Sequence, residues 1–283
     1  MYKDHWGLRD TPFSSDLDPQ AFFESQVHEE ALARLYYLVE QRRRLGLLLG
    51  AHGSGKSLLL EVLCDQLRRA GRPVARLRLV GVSAAEFPWL LARELGVDLR
   101  PDEGPTSLWR SIADRIAANR HQQWGTMVLL DDVDEAEAEL RTAIVRLTQL
   151  EPGRDAGLTI ILSARLDRAS RLGPRLLELS ELRIDLDSWE EEDTAAFLST
   201  ALKRAGREGP AFGAAAIARL HQLSGGVPRR VRQLADWALM AGAGQQQQQI
   251  DALTVETVFE ELGVRDLTSA PMSAAGFAAG SPS

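Results

Sequence analysis

Cysteine and long apolar runs are both scarce in this sequence. Cys64 is the single cysteine in 283 residues, so no internal disulfide can form, and no Cys or His cluster has the spacing of a structural metal site. The apolar runs are far shorter than the ~20 residues that span a bilayer, and the first residues lack the pattern of a secretory signal. We therefore expect a cytoplasmic protein without membrane insertion.

An excess of positive charge is also lacking. The formal net charge is −7, so no overall attraction draws the chain to nucleic acid or to an anionic membrane. Only three of the 33 basic residues are lysines, namely Lys3, Lys56 and Lys203. Because lysine is so rare here, the position of Lys56 directly after a glycine-rich turn marks it as a candidate functional residue.

The chain has the composition and organisation of a globular protein of about two domains. Its apolar and charged fractions are 45% and 26%. From residue 45 onward, apolar runs typical of β-strands alternate with helical patterns, which predicts an α/β domain with a mostly parallel sheet. The predicted strands cover 45–50, 73–80, 126–131, 158–163 and 182–186, and the predicted connecting helices cover 57–69, 84–95, 107–119, 135–149 and 169–179.

Helical patterns without strands follow Trp189. They predict helices over 190–205, 211–223, 228–240 and 254–262. We therefore divide the chain into an α/β core over 1–188 that includes the N-terminal segment, a small all-helical lid over 189–264, and a tail over 265–283. The tail is rich in Ala, Gly, Ser and Pro, a composition that predicts disorder.

A phosphate-binding motif follows the first predicted strand. Residues 50–57 match G-x-x-x-x-G-K-S/T at every fixed position, between an apolar strand and a helix. Glycines let backbone N–H groups surround a phosphate, and the positive end of the helix dipole points at the same group. We expect Lys56 to bridge the β- and γ-phosphates of ATP and the Ser57 hydroxyl to ligate Mg²⁺. The predicted nucleotide-binding residues are Gly50, Ala51, His52, Gly53, Ser54, Gly55, Lys56, Ser57, Leu58 and, from the lid, Arg229.

Two carboxylates stand at the end of the third predicted strand, Asp131 and Asp132. Successive strand residues point to opposite sides, so the two acids need different roles. We expect Asp131 to hold the Mg²⁺ shell and Asp132 to orient or deprotonate the attacking water, with Glu135 as the alternative base. Glutamate is usual at the second position, and the shorter Asp132 places its carboxylate about 1.5 Å further back, which predicts slower chemistry.

Two further polar residues stand where they would meet a bound nucleotide. Ser163 ends the fourth predicted strand, next to the strand of the acids, and would reach the γ-phosphate or the attacking water. Arg229 follows Pro228 at the start of a predicted lid helix. A cation at a helix start opposes the helix dipole, which favours an external anion as its partner. We expect Arg229 to sense the nucleotide.

These motifs together resemble AAA+ ATPases of the ExeA/GspA type, which are general secretion and pilus biogenesis ATPases related to the transposition regulators TniB and TnsC. The resemblance covers about residues 1–262. It begins with MYKDHWGLRDTPF at residues 1–13, continues with Phe22-Phe23 and HEEAL at 28–32, and includes SGGVPRRVRQLAD at 224–236.

The resemblance implies a five-stranded parallel sheet in the order 5-1-4-3-2, a helical lid that carries Arg229, and an N-terminal segment that helps to enclose the adenine. It also implies an arginine finger supplied across the interface of a homo-oligomer. Arg183 matches the position of this finger, and Arg175 and Arg171 are the alternatives. The membrane-spanning and peptidoglycan-binding parts that follow the ATPase in secretion proteins have no counterpart in this sequence, so we do not expect their role in moving secretin.

The function that these features predict is that of an AAA+ ATPase. It would bind and hydrolyse Mg-ATP as a conformational switch that acts on a partner protein or on DNA. One alternative is a scaffold that binds ATP without hydrolysing it. The other is an ATP-dependent DNA-binding regulator, in which Arg219, Arg229, Arg230 and Arg232 of the lid would line a channel.

Overall fold

The structure, a computed structural model, describes residues 2–13, 19, 22–100, 104–150 and 157–262. The tail predicted over 265–283 lies outside the described residues. The strands are β1 Leu45–Gly50, β2 Val74–Arg78, β3 Thr126–Asp131, β4 Leu158–Arg165 and β5 Leu182–Leu186. The helices are α1 Tyr2–Trp6, α2 Gln26–Glu40, α3 Lys56–Arg69, α4 Phe87–Glu94, α5 Pro105–His121, α6 Ala138–Thr148, α7 Pro174–Leu179, α8 Glu191–Arg204, α9 Ala214–Ser224, α10 Pro228–Gly244 and α11 Ala252–Glu261.

Within the described residues, five parallel strands form one sheet in the order β2-β3-β4-β1-β5. Read from the other edge, this is the order 5-1-4-3-2, so the predicted P-loop AAA+ fold is confirmed. Because the strands are parallel, their carboxyl ends meet at one edge of the sheet. That edge brings Gly50 at the end of β1, Asp131 at the end of β3 and Ser163 near the end of β4 into one region.

The sheet is covered on both faces, as its almost continuous apolar strands require. Leu47 and Leu162 belong to the hydrophobic cluster that includes α4, α5 and α6. Leu48 and Ile161, their neighbours in sequence, belong to the opposite cluster, which includes α2 and α3. Successive strand residues thus serve different helical layers, which is the alternation expected of a strand.

The helices α8 to α11 enclose a hydrophobic core of their own, and α1 packs in it. The Trp6 indole N–H donates to the carbonyl of Leu239 in α10 at 2.8 Å, and the guanidinium of Arg207 lies 5.1 Å from the centre of the Trp6 ring. Phe13 belongs to the same core. The division of the chain at residue 188 stays a prediction, and this packing associates the N-terminal segment with the helical part.

Several predicted helices have ends that differ from those in the structure, and in two of them a single backbone conformation explains the difference. The helix predicted over 135–149 begins at Ala138, because a 3-10 turn over Val133–Glu135 and the extended residue Ala136 precede it. The helix predicted over 169–179 is interrupted at Gly173, whose φ of 82° is left-handed, and α7 begins at Pro174. Proline suits a first helical turn because it has no N–H to donate to a preceding turn.

In the parts of the chain that the structure describes, no helix is both long enough and apolar enough to cross a membrane.

Candidate nucleotide-binding and catalytic site

The phosphate-binding loop connects β1 to α3 and depends on two glycines with left-handed backbone. Gly53 has a φ of +84° and Gly55 a φ of +100°, which strain any residue with a Cβ. Space is lacking as well. A Cβ on Gly53 would lie 2.7 Å from the Arg229 Cβ, and one on Gly55 would lie 2.5 Å from the His28 Nε2. The loop is thus enclosed between α10 on one side and α2 on the other.

Lys56 opens α3 at the centre of this region and is only 6% exposed. Its ammonium donates to the carbonyls of Gly50 at 3.0 Å and Ala51 at 2.8 Å. Burial lowers the pKa of Lys56, and the nearby carboxylates of Asp131 and Asp132 partly oppose that shift. The lysine that the sequence marked is therefore a desolvated cation close to both predicted acids.

Asp131 is fully buried at the end of β3. Its Oδ1 accepts the Ser163 hydroxyl, whereas its Oδ2 has no hydrogen-bond partner. The guanidinium of Arg76, a residue that the sequence analysis missed, lies 3.7 Å from this oxygen and donates to the Ser57 carbonyl at 3.2 Å. A buried carboxylate oxygen without a hydrogen bond is a suitable ligand for a hard cation, so the residues present fit Mg²⁺.

Ser57 and Leu58 are half-buried in the first turn of α3. Ser54 lies deeper in the loop, and its hydroxyl has no hydrogen-bond partner. The predicted binding residues 50–58 thus form one continuous segment, from the end of β1 into the first turn of α3.

Asp132 has a strained backbone, with φ of 58° and ψ of 44° in the left-handed region. Its N–H donates to the Ser163 hydroxyl at 3.2 Å, and its carboxylate accepts from the Arg78 Nε at 2.8 Å. Ser163 therefore joins the two acids, because its hydroxyl donates to Asp131 and accepts from Asp132. The direct role of Ser163 toward the γ-phosphate stays a prediction.

Asp134 is a third buried carboxylate, which the sequence analysis did not single out. It is 2% exposed, its Oδ1 accepts from the backbone N–H of Arg165 at 3.1 Å, and its Oδ2 has no hydrogen-bond partner. Its charge also opposes the lowering of the Lys56 pKa. Glu135, the predicted alternative base, is ion-paired with Arg168. The sequence D-D-x-D-E over residues 131–135 was the signal from which Asp134 could have been predicted.

Arg229 lies on the phosphate-binding loop, at the start of α10. Its N–H donates to the Gly53 carbonyl at 3.2 Å, and its guanidinium lies 2.8 Å from the His52 Nε2. Burial and then the charges of Arg229, Arg165 and Lys56 lower the pKa of His52. The cationic side chains around the loop make it electrostatically favourable for an anion.

Arg183, the predicted arginine finger, lies away from this loop. It stands beside Leu47 in the register of β5 on β1, whereas Leu186 stands beside Gly50 at the loop. Its Nε donates to Asp185 at 2.9 Å. The alternative Arg175 is ion-paired with Glu178 at 3.6 Å, and Arg171 is exposed. A role for any of them in a neighbouring protomer stays a prediction.

The lid arginines proposed to line a DNA channel, Arg219, Arg229, Arg230 and Arg232, lie on α9 and α10. Arg219 is ion-paired with Glu256 of α11 at 2.7 Å. Its charge is thus partly neutralised, and DNA binding stays a prediction.

Comparisons with known proteins agree with the resemblance found in the sequence. Residues 39–172, which include the phosphate-binding loop and the three acids, match the AAA domain family. General secretion pathway protein A of Aeromonas hydrophila is 27% identical over 271 residues, which are 94% of this chain and 49% of that protein. The chain thus spans about half the length of this relative, and its resemblance to this type of protein is confirmed.

Solved structures share the fold at low sequence identity. The Orc1 protein of Aeropyrum pernix, solved in complex with DNA, has a TM-score of 0.64 and 16% identity over 90% of this chain and 69% of that one. Cdc6p of Pyrobaculum aerophilum has a TM-score of 0.66 and 17% identity over 86% and 71%. The Holliday junction branch migration motor RuvB of Thermotoga maritima has a TM-score of 0.53 and 14% identity over 89% and 74%. These similarities concern the fold.

Proposed function

We propose that this chain, which carries an AAA domain and resembles general secretion pathway protein A, binds and hydrolyses Mg-ATP as a switch coupled to oligomer formation. One observation carries the proposal. The buried carboxylate of Asp131 has an oxygen without a hydrogen bond and acts electrostatically on Lys56, the lysine of the phosphate-binding loop. A buried lysine and a buried carboxylate suit the triphosphate and its cation respectively.

In the proposed complex, the nucleotide lies between the core over 1–188 and the lid over 189–264. Backbone N–H groups of the loop and the Lys56 ammonium bind the phosphates, and Arg229 approaches them from the lid. Ser57 and Asp131 would hold Mg²⁺, Asp131 commonly through water. The cation would supply neutralisation of the charge that develops on the phosphate oxygens.

Hydrolysis is proposed to proceed by in-line attack of water on the γ-phosphorus. The bond to the β,γ-bridging oxygen breaks, ADP leaves with the electron pair, and the proton of the water passes to Asp132 or to the phosphate formed. Arg78 competes for Asp132, because it holds the carboxylate in an ion pair of 2.8 Å. We propose that Asp132 acts when this ion pair is open, and that an arginine of a neighbouring protomer, Arg183 in our assignment, completes the site.

The output is proposed to be a change in the position of the lid that is delivered to a partner protein. The support is the direct contact between the two parts, since α10 begins with a hydrogen bond from Arg229 to the loop carbonyl of Gly53. A nucleotide that moves the loop would therefore act on α10 without an intermediate element.

The experiment is phosphate release measured over a series of protein concentrations, for the wild type and for Lys56→Ala and Asp131→Ala. Lys203→Ala is the matched control, because this lysine is exposed on α8. The proposal expects release that rises more steeply than protein concentration, is lost in both site variants and is unchanged in the control. Equal release from the wild type and Lys56→Ala would contradict it.

A second candidate, a scaffold that binds ATP without hydrolysing it, is favoured by the ion pair between Arg78 and Asp132. Single-turnover reactions at high protein concentration separate the two functions. Binding of Mg-ATP without phosphate release above the Lys56→Ala background would support the scaffold and end the enzyme proposal.

A further inference from the structure

A buried histidine outside the phosphate-binding motif contacts the backbone of the loop. His28, in the first turn of α2, is 3% exposed. Its Nε2 lies 3.0 Å from the carbonyl oxygen of Ser54 in the loop. On the other side of the ring, its Nδ1 lies 3.2 Å from the Trp189 indole nitrogen and 2.7 Å from the Ser25 hydroxyl. The ring therefore joins the loop to the chain segment that precedes the lid helices.

The partners of His28 determine which nitrogen carries the proton. An indole N–H only donates, so the Nδ1 that faces Trp189 must accept. A carbonyl oxygen only accepts, so the Nε2 that faces Ser54 must carry the proton. The ring is thus neutral. Burial lowers the pKa of His28, and the hydrogen bond to the Ser54 carbonyl and then the charge of Asp193 on α8 oppose that shift more weakly. A proton on Nδ1 would remove the acceptor that the buried Trp189 requires.

The bond to Ser54 has a direct consequence for phosphate binding. The C=O and N–H of one planar trans peptide point in opposite directions. When His28 holds the Ser54 carbonyl, the N–H of Gly55 must point away from His28. The N–H groups of this loop are the donors proposed to surround the phosphates. His28 therefore aims one of these donors before any ligand arrives.

The same histidine also connects the loop to the segment that carries Arg229. The backbone N–H of Trp189 donates to the carbonyl of Gly226 at 2.9 Å, and Gly226 lies three residues before Arg229. Gly226 has a φ of +66°, and a Cβ on it would lie 2.2 Å from the Trp189 carbonyl oxygen. Trp189 is thus held against the lid loop by its backbone and against His28 by its side chain.

We propose that His28 is a positioning residue for nucleotide binding, which orients the peptide between Ser54 and Gly55 through its Nε2–H, and that Trp189 keeps it in this tautomer. This inference rests on the proposed binding of ATP at the loop. His28 touches no reacting atom in this assignment and acts only through the backbone of Ser54.

The first test is independent of nucleotide. Side-chain nitrogen NMR of the wild type distinguishes the two neutral tautomers and the charged ring among the five histidines. The proposal expects a neutral His28 with its proton on Nε2 at pH 7. A proton on Nδ1, or a charged ring, would overturn it.

The second test measures the affinity of the full chain for a fluorescent ATP analogue with Mg²⁺. His28→Leu leaves the Ser54 carbonyl without its donor, so we expect binding to weaken about tenfold. His28→Gln restores a donor and an acceptor at similar positions and should retain most of the affinity. His121→Leu, at an exposed position at the end of α5, is the matched control. Equal affinities for the wild type and His28→Leu would overturn the inference.

The third test addresses Trp189. Trp189→Phe removes the indole donor at Nδ1 and so allows the ring to take a second proton there. The charged ring keeps its Nε2–H on Ser54 and adds a positive charge beside the loop, so nucleotide affinity should rise as pH falls. The wild type and Trp124→Phe, a change at an exposed tryptophan, should bind equally well from pH 6 to pH 8. A pH-independent Trp189→Phe would refute the role of Trp189.

These outcomes separate the inference from the function on which it rests. A wild type that does not bind the analogue removes the proposed function. A wild type that binds, with a His28→Leu variant that is folded and binds equally well, removes only the role of His28. If His28→Leu does not fold, the tautomer measurement and the pH dependence of Trp189→Phe decide the matter.

Discussion

Replacing Arg78 by methionine should increase the rate of ATP hydrolysis. Arg78 is exposed at the end of β2, and its Nε lies 2.8 Å from the Asp132 carboxylate, the proposed base. Methionine keeps an apolar stem of similar length and removes the charge. If Asp132 must leave this ion pair before it can accept a proton from water, the free energy of breaking the pair adds to the activation barrier.

The solvent exposure of Arg78 and Asp132 determines how large a rate increase we expect. The side chain of Arg78 is 65% exposed and that of Asp132 is 22% exposed, so solvent screens most of the attraction. Ion pairs of this kind contribute about 1 kcal/mol at most, which corresponds to a rate increase of about fivefold.

The assay is single-turnover hydrolysis at saturating Mg-ATP, with nucleotide affinity measured separately. Arg34→Met is the matched control, because Arg34 is an exposed arginine in an ion pair with Glu30 on α2. We expect faster hydrolysis at unchanged nucleotide affinity in Arg78→Met and no change in the control. Hydrolysis that stays the same or falls in Arg78→Met would refute the restraining role of Arg78.

Three further predictions concern stability and pH. Ser163→Ala leaves Oδ1 of Asp131 without its donor and should lower the free energy of unfolding by about 1–3 kcal/mol in urea denaturation, with slower hydrolysis; an unchanged midpoint would contradict this. Gly226→Ala should lower the free energy of unfolding by about 2 kcal/mol or more, because a Cβ at Gly226 would be strained and would meet Trp189. Gly209→Ala has open space around its Cβ and should leave the urea midpoint unchanged, so equal midpoints for the two variants would contradict the prediction. The lowered pKa of His28 means that the unfolded chain binds the proton more readily, so stability is present above pH 6.5 and is lost as pH falls through the folded pKa. Thermal unfolding of His28→Gln should depend less on pH than that of the wild type, and identical dependence would rule out this contribution.

The parts of the site that could be predicted from the sequence are those that depend on residues within one short segment of the chain. The loop over residues 50–57 needs glycine at left-handed positions, and Gly53 and Gly55 have that conformation. The strand that ends at Asp131 is apolar from Met127 to Leu130 and is buried along its length. Parallel strands carry such segments to one edge of the sheet, so the motifs and the sheet order together predicted which residues meet there.

Element boundaries were less accurate wherever a single backbone conformation decides them. Residues 169–179 have the apolar spacing of a helix, but Gly173 has a positive φ that a helix does not allow. The helix therefore starts only at the next residue, Pro174. Ala136 has an extended backbone, so the helix predicted over 135–149 cannot include it and α6 begins after it. Apolar spacing reports which side of an element is buried and carries little information about where its hydrogen bonds stop.

The sequence by itself determined the fold class, the glycine-rich loop over residues 50–57 and the two acids at the end of β3, because each depends on residues that are neighbours along the chain. Only the tertiary structure decided the partners of those residues. Arg78 meets Asp132 across 54 positions, and Trp189 meets His28 across 161. Such contacts depend on how separate elements pack, and the spacing of residues within one segment holds no record of a partner in another.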